Sequence, residues 1–131
     1  MTYERPEVQG ERYEFCQRLE DDPRPKYRGR TFMLIDDRAI SQAEHTGLFF
    51  EAAAGTMFVG SPTAGTNGGV TNLNLPGGLY MSFTQIDVRH ADGRQLQRVG
   101  LQPDVLVRPT IEGIRTGRDE VLEAAIALAN Q

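Results

Sequence analysis

Ser41 is the residue of this sequence whose type and position best fit a nucleophile. It follows the apolar run Phe32–Ile35 and a short charged turn, and it opens a helical pattern with apolar residues on one side. The first turn of a helix carries unpaired backbone N–H groups and partial positive charge, which stabilise a developing oxyanion. A hydroxyl at this corner could therefore attack a carbonyl carbon.

The same segment also fits an ordinary helix cap. The spacing Ser41-Gln42-Ala43-Glu44 matches a capping box, in which the serine and glutamate side chains each bond the other residue's backbone N–H. His45 lies one helical turn after Ser41 and is a candidate local base. Helical side chains lean towards the N-terminus, so His45 also fits a surface or cleft-lining position. Spacing alone keeps the cap and the nucleophile as alternatives.

The surrounding pattern predicts an α/β fold with a βαβ core. A strand over residues 31–36 is followed by a helix from Ser41 to about Ala54 and by a second short strand over residues 56–60. A strand–helix–strand unit normally joins parallel strands. The two strands are therefore expected to pair in parallel.

The second half of the chain predicts short strands, turns and a final helix. This helix is expected to be capped near Thr116 or Asp119 and to carry apolar residues on one face. Residues 1–30 are rich in charge and predict a lead-in and linker, which leaves residues 31–131 as the predicted domain. The predicted strands cover residues 70–75, 79–84, 86–89 and 105–107, with a β-hairpin turn at Asp92-Gly93.

A glycine-rich segment, residues 60–69, follows the second predicted strand. It could be a phosphate-binding loop, but the Lys-Ser/Thr ending of a P-loop is absent. Glycine permits backbone conformations closed to other residues, so the segment is interpreted as a loop shaped beside a site. Thr63 in this loop, and Asp104 further along, are expected to hold loops through side-chain bonds to the backbone.

Composition argues against several classes of partner and site. The net charge of −4 and pI near 5.2 give no electrostatic footprint for nucleic acid. No apolar segment has the length of a membrane span, so no membrane partner is expected. The polar N-terminus does not match a signal peptide, and no compartment is assigned. Cys16, His45 and His90 show no zinc-binding spacing. No metal or cofactor is therefore predicted.

Five separated motifs resemble, in their order and spacing, the C-terminal-processing (tail-specific) serine protease family, including its tricorn-core-like branch. The resemblance covers about residues 27–129 and implies a Clp-protease/crotonase-like fold of stacked ββα units. It also implies a serine peptidase acting on peptide or protein substrates, with Ser41 as nucleophile and the backbone N–H of Gln42 in the oxyanion hole. The motifs are Leu34-Ile-Asp-Asp-Arg-Ala-Ile-Ser41-Gln-Ala-Glu44, Val59-Gly-Ser-Pro-Thr63-Ala-Gly65, Leu75-Pro-Gly-Gly78, Asp92-Gly93 and Val99-Gly100-Leu-Gln-Pro103-Asp104.

The chain departs from the family's pattern at the general base. Where the lysine-dependent branch has its lysine, this sequence has Thr66, so a serine–lysine dyad is excluded. The tricorn-like branch uses a histidine upstream of the serine and an acidic residue before the Gly-x-x-Pro-Asp motif. Here no histidine precedes Ser41, and Gln97 stands near the acidic position. The base is therefore expected from outside this chain, unless the site has decayed.

Three functional hypotheses follow. The leading one is that the chain is the C-terminal portion of a serine endopeptidase domain. In this hypothesis the strand-to-helix corner at Ser41, called the serine corner below, is supported by Glu44, Thr63, Gly65, Gln97 and Asp104. The alternative is a catalytically inactive peptide- or ligand-binding module with the same fold. A third hypothesis is a homo-oligomer that covers exposed sheet faces and edges.

Overall fold

The computed structural model describes residues 2–6, 12–17 and 22–131. Within these ranges the chain forms a mixed α/β structure that contains a parallel sheet, an antiparallel sheet and a separate hairpin. The elements, in chain order, are β1 (Thr2–Pro6), β2 (Arg12–Cys16), β3 (Phe32–Ile35), α1 (Gln42–Ala54), β4 (Met57–Gly60), β5 (Val70–Leu75), β6 (Leu79–Thr84), β7 (Asp87–Arg89), β8 (Val105–Leu106), α2 (Ile111–Thr116) and α3 (Glu120–Ala129).

The parallel sheet has the strand order β3-β4-β8 and carries the serine corner at one end. β3 and β4 pair in parallel with Ile35 opposite Gly60, which confirms the predicted βαβ unit. The short strand β8 adds in parallel to the other edge of β4. Helix α1 connects β3 to β4, and α3 packs against the same two strands. β3, α1 and β4 share a hydrophobic core with β7 and the segment that follows it, formed by Ile35, Leu48, Phe58, Val88, Leu96 and Leu101.

An antiparallel sheet joins the N-terminal strands to the second half of the chain. β1 pairs with β2 on one side and with β7 on the other. This differs from the predicted lead-in over residues 1–30, because the charge content of that stretch concealed a strand pattern whose partner lies far along the chain. Residues 22–30, the last part of the predicted linker, contain no helix or strand.

The hairpin formed by β5 and β6 exposes an apolar face. Its strands pair antiparallel with Leu73 opposite Met81 and Leu75 opposite Leu79. The residues on this face, with Phe83, are between 39% and 64% exposed. A two-stranded hairpin is only marginally stable without packing, and the exposed fractions show that little packing covers this face.

The final helix is capped by Asp119, one of the two predicted positions. Helix α2 was not predicted, because it is only 6 residues long, contains a glycine and exposes Ile111 and Ile114 instead of burying an apolar stripe. In the part of the chain that the structure describes, no helix combines the length and apolarity needed to cross a membrane.

Candidate active site

Ser41 lies at the corner between β3 and α1 in a backbone conformation that is rare for a residue with a side chain. Its φ of 48° and ψ of −108° place it in the left-handed half of the dihedral map. The cap residue of α2, Thr110, has an extended backbone with φ −91° and ψ 158°, as helix caps usually do. Ser41 is exposed to solvent. Its strained conformation is therefore not what capping a helix requires.

The hydroxyl of Ser41 is not consumed by the cap. Ser41 and Glu44 have the spacing of a capping box and the Glu44 carboxylate accepts a bond from the Ser41 N–H, but none of the described hydrogen bonds joins an N–H of α1 to the Ser41 hydroxyl. Thr110 and Asp119 each accept a bond from a backbone N–H of their helices. Gln42 is the first residue of α1, and its backbone N–H has no partner among the described hydrogen bonds. An exposed hydroxyl thus lies next to an unused N–H donor.

Glu44 is the centre of a buried hydrogen-bond network below Ser41. Its carboxylate is 0% exposed. One oxygen, Oε1, accepts from the hydroxyl of Thr63 at 2.6 Å and from the N–H of Gly65 at 2.7 Å. The other, Oε2, accepts from the N–H groups of Thr66 at 2.9 Å and Ser41 at 3.2 Å. The serine corner and the glycine-rich loop are therefore fastened to the same carboxylate.

The glycine-rich loop packs closely against the turn at residues 98–101. The hydroxyl of Thr63 accepts a 2.8 Å bond from the N–H of Leu101. The carbonyl of Gly65 accepts a 2.7 Å bond from the N–H of Arg98. A Cβ on Gly65 would lie 2.8 Å from the backbone nitrogens of Val99 and Gly100, and its φ is +67°. Close approach and left-handed backbone together explain glycine at this position.

His45 is held by other partners than Ser41. Its Nδ1 lies 3.2 Å from the side-chain amide nitrogen of Asn67, and its Nε2 lies 3.1 Å from Oε1 of Gln17. The backbone N–H of His45 donates to the carbonyl oxygen of Ser41 at 2.9 Å, but no described hydrogen bond joins the imidazole to Ser41. Burial lowers the pKa of His45 below its usual value, because desolvation disfavours the charged imidazolium. These contacts fit a structural role better than that of a base.

Gln97 and Asp104 both bind backbone groups. The amide nitrogen of Gln97 donates to the carbonyl oxygens of Asn67 at 2.9 Å and Ile86 at 2.8 Å. Asp104 Oδ2 accepts a 2.7 Å bond from the N–H of Phe58 in β4. Gln97 thus ties the glycine-rich loop to the segment before β7, and Asp104 aligns β8 with β4. The amide nitrogen of a glutamine carries two hydrogens and can donate to two carbonyls. The oxygens of an ionised carboxylate carry none, so a glutamate at position 97 could not make these two bonds.

His90 is the buried member of a network of charged side chains. Its side chain is only 3% exposed, and Nδ1 lies 2.6 Å from Oε2 of Glu51. Arg94 binds the other oxygen of Glu51 at 2.8 Å. The pKa of Glu51 is lowered, first by the hydrogen bond from His90 and then by that from Arg94. No local sequence pattern indicates this network, because Glu51 and His90 are 39 positions apart.

A cleft of about 530 Å³ lies beside the ends of β3 and β4, where α3 begins. Asp36, Arg38 and Ser61 line one side of it, and Arg118 and Asp119 line another. Ser41 is not among its lining residues. The described residues contain no group of three or more His, Cys, Asp or Glu side chains that could hold a metal ion.

The family model described as Peptidase family S41 matches residues 2–107. No curated protein matches the chain. A protein of Parabacteroides merdae ATCC 43184, described as a candidate peptidase, is 21% identical and has a TM-score of 0.79, over 98% of this chain and 41% of that one.

Two proteases of known structure are also similar. Mature CPAF complexed with lactacystin is 25% identical over 83% of this chain and 22% of its own, with a TM-score of 0.67. The tricorn protease is 22% identical over 88% of this chain and 12% of its own, with a TM-score of 0.65. The chain thus spans less than half of the length of each of these three structures. The resemblance of its motifs is confirmed, and the chain belongs to peptidase family S41.

Proposed function

We propose that this chain carries the nucleophile of a serine peptidase and that Ser41 is that nucleophile. The observation that carries the proposal is the backbone of Ser41, which is left-handed at an exposed strand-to-helix corner. Strained residues of this kind concentrate at functional sites, and nucleophilic serines of other folds stand on similarly sharp turns. A serine that only capped the helix would have no need of this conformation.

The reaction would proceed through an acyl-enzyme. The hydroxyl oxygen of Ser41 attacks the carbonyl carbon of a peptide bond while a general base takes the proton. The oxyanion that forms accepts a hydrogen bond from the backbone N–H of Gln42. The C–N bond then breaks, the amine leaves with the proton from the base, and water hydrolyses the ester. We assign the base and the remaining oxyanion donors to a segment outside this chain, because the nitrogens of His45 are bound to Asn67 and Gln17.

The finer assignments extend the family membership. We propose a Clp-protease/crotonase-like fold for the complete domain, with this chain as its C-terminal portion and the glycine-rich loop beside the substrate. The parallel βαβ unit and the likeness to the tricorn protease support this proposal. The substrate is proposed to be a peptide or protein cleaved internally. Assembly as a homo-oligomer is a further proposal, which the exposed apolar face of the hairpin favours.

A catalytically inactive binding module is the second candidate, and Gln97 is the observation that favours it. This residue stands near the acidic position of the tricorn-like pattern, and its amide binds two backbone carbonyls. It cannot carry the negative charge that would stabilise a protonated base. A module that keeps the fold could still bind an extended peptide beside the glycine-rich loop.

The test is labelling of the complete protein with a fluorophosphonate probe, which reacts with activated serines. We expect the probe mass on the peptide that contains Ser41, and no labelling in Ser41→Ala. Ser82→Ala is the matched control, because Ser82 is an exposed serine in an ordinary strand, and it should label like the wild type. Failure of the folded wild type to label, together with measurable peptide binding, would favour the binding module.

A further inference from the structure

We infer that Glu44 is the positioning residue of the proposed site: its buried carboxylate holds the backbone of Ser41 in its left-handed conformation and fixes the glycine-rich loop beside it. The catalytic meaning of this inference rests on the function proposed for Ser41. Its structural content does not, because it concerns hydrogen bonds that can be followed directly. Glu44 itself touches no substrate and acts through Ser41.

The first step is the match between the carboxylate and its surroundings. Glu44 is fully buried, and it accepts bonds from one hydroxyl and three backbone N–H groups. All four partners are donors, and only a deprotonated carboxylate offers acceptors in every direction. Bonds to an ionised acceptor are about twice as strong as neutral ones. The pocket is therefore built for a carboxylate rather than for any side chain of similar size.

The second step concerns strain. A backbone with a positive φ is unfavourable for a residue with a Cβ atom, so some interaction must offset this strain at Ser41. The N–H of Ser41 donates to Oε2 of Glu44, which ties the direction of this N–H to the buried carboxylate. The same oxygen accepts from Thr66. The conformation of Ser41 and the position of the loop are thus set by one group.

The third step shows why glutamine cannot replace Glu44. Each carboxylate oxygen serves two donors: Thr63 and Gly65 on Oε1, and Thr66 and Ser41 on Oε2. A glutamine has one acceptor oxygen, and its NH₂ group would face two donors. Whichever way the amide is turned, one pair loses its acceptor. In either orientation a link between the serine corner and the loop is broken.

The experiment uses Glu44→Gln in the full chain, with Glu51→Gln as the matched control. Glu51 lies on the same helix and its carboxylate is also hydrogen-bonded, but to His90 and Arg94 and not to the serine corner. The first readout is hydrogen–deuterium exchange at the backbone amides of Ser41, Gly65 and Thr66. We expect Glu44→Gln to speed exchange by about tenfold or more at the amides that lose their acceptor, which are either Gly65 or Ser41 and Thr66, while amides of β4 stay protected.

The second readout is the rate of fluorophosphonate labelling at Ser41. In Glu44→Gln we expect labelling to slow by about 10- to 100-fold, because small displacements of a reacting group have large effects on rate. Glu51→Gln should label at nearly the wild-type rate. If Glu44→Gln fails to fold, Thr63→Val is the second variant. It removes one donor to the same carboxylate, together with the acceptor of the Leu101 N–H, and should change both readouts in the same direction.

The outcomes separate this inference from the proposed function. Unchanged exchange at the three amides would overturn the inference, and so would wild-type labelling of Glu44→Gln. A wild-type protein that does not label, but whose amides are released by Glu44→Gln, would support the positioning role and contradict the peptidase proposal. Faster exchange and slower labelling together would support both.

Discussion

At the scale of single residues, Ser41 and Thr110 precede helices in different backbone conformations. The S-x-x-E spacing predicts a cap and is compatible with a nucleophile, because it does not contain the backbone dihedrals of Ser41. The structure supplies them, and they separate Ser41 from the extended cap residue Thr110. Gln97 shows the same limit. Its two carbonyl partners are 11 and 30 positions away, beyond the range of any local motif.

The strain at Ser41 can be measured by comparing two substitutions that both remove the hydroxyl. We expect Ser41→Gly to have a free energy of unfolding about 1 kcal/mol higher than that of Ser41→Ala, because glycine adopts a positive φ without steric cost. Chemical denaturation at neutral pH measures the difference. The same pair at Ser82, in strand β6, should give the opposite sign. Equal stabilities at Ser41 would contradict a strained backbone.

At the scale of elements, the βαβ unit was readable from the sequence and the loop contacts were not. An apolar run, a turn, a helical period and a second apolar run predict β3, α1 and β4 and their parallel pairing. The packing of the glycine-rich loop on residues 98–101 depends on backbone atoms that meet only in the folded chain. The sequence could indicate that this loop needs glycine, but not against what it packs.

Gly65→Ala tests that packing. The added Cβ would lie 2.8 Å from two backbone nitrogens, so we expect a loss of about 2–4 kcal/mol in the free energy of unfolding. Gly77→Ala is the matched control, since Gly77 also has a positive φ, of +84°, but no atom within 4 Å of the added Cβ. It should cost only about 1 kcal/mol. If both variants lost a similar free energy of unfolding, the positive φ, and not the close contact of the added Cβ, would account for the loss at Gly65.

At the scale of the whole molecule, long-range pairs fasten the predicted core to the parts that were not predicted. Helix α1 was predicted, but its link through Glu51 to His90 and Arg94, beyond β7, was not. The pairing of β1 with β7 joins residues 2–4 to residues 87–89 in the same way. Such contacts leave no local pattern in the sequence. The fold class could therefore be predicted, but the contacts that join distant parts of the chain could not.

The link through Glu51 predicts a pH dependence. The pKa of Glu51 is lowered in the folded state, so its stabilisation is present above its ordinary pKa and is lost as the pH falls through the lowered value. We expect Glu51→Gln to be less stable by about 1–2 kcal/mol at pH 7, with a gap that narrows in acid. Denaturation from about pH 7 down to about pH 3 measures this gap. The control Glu112→Gln, which breaks an exposed pair with Arg115, should change little at any pH.

The hydrogen bonds around Glu44 also bear on the order of folding. Each of them joins residues no more than 22 positions apart in the chain. Closing such short loops costs little conformational entropy, and contacts between near neighbours in sequence form fast. By contrast, β1 pairs with β7, and most of the described chain lies between the two strands. We therefore expect the serine corner to be among the first parts of the molecule to acquire native structure, with the surrounding sheets closing around a nucleus that already contains it.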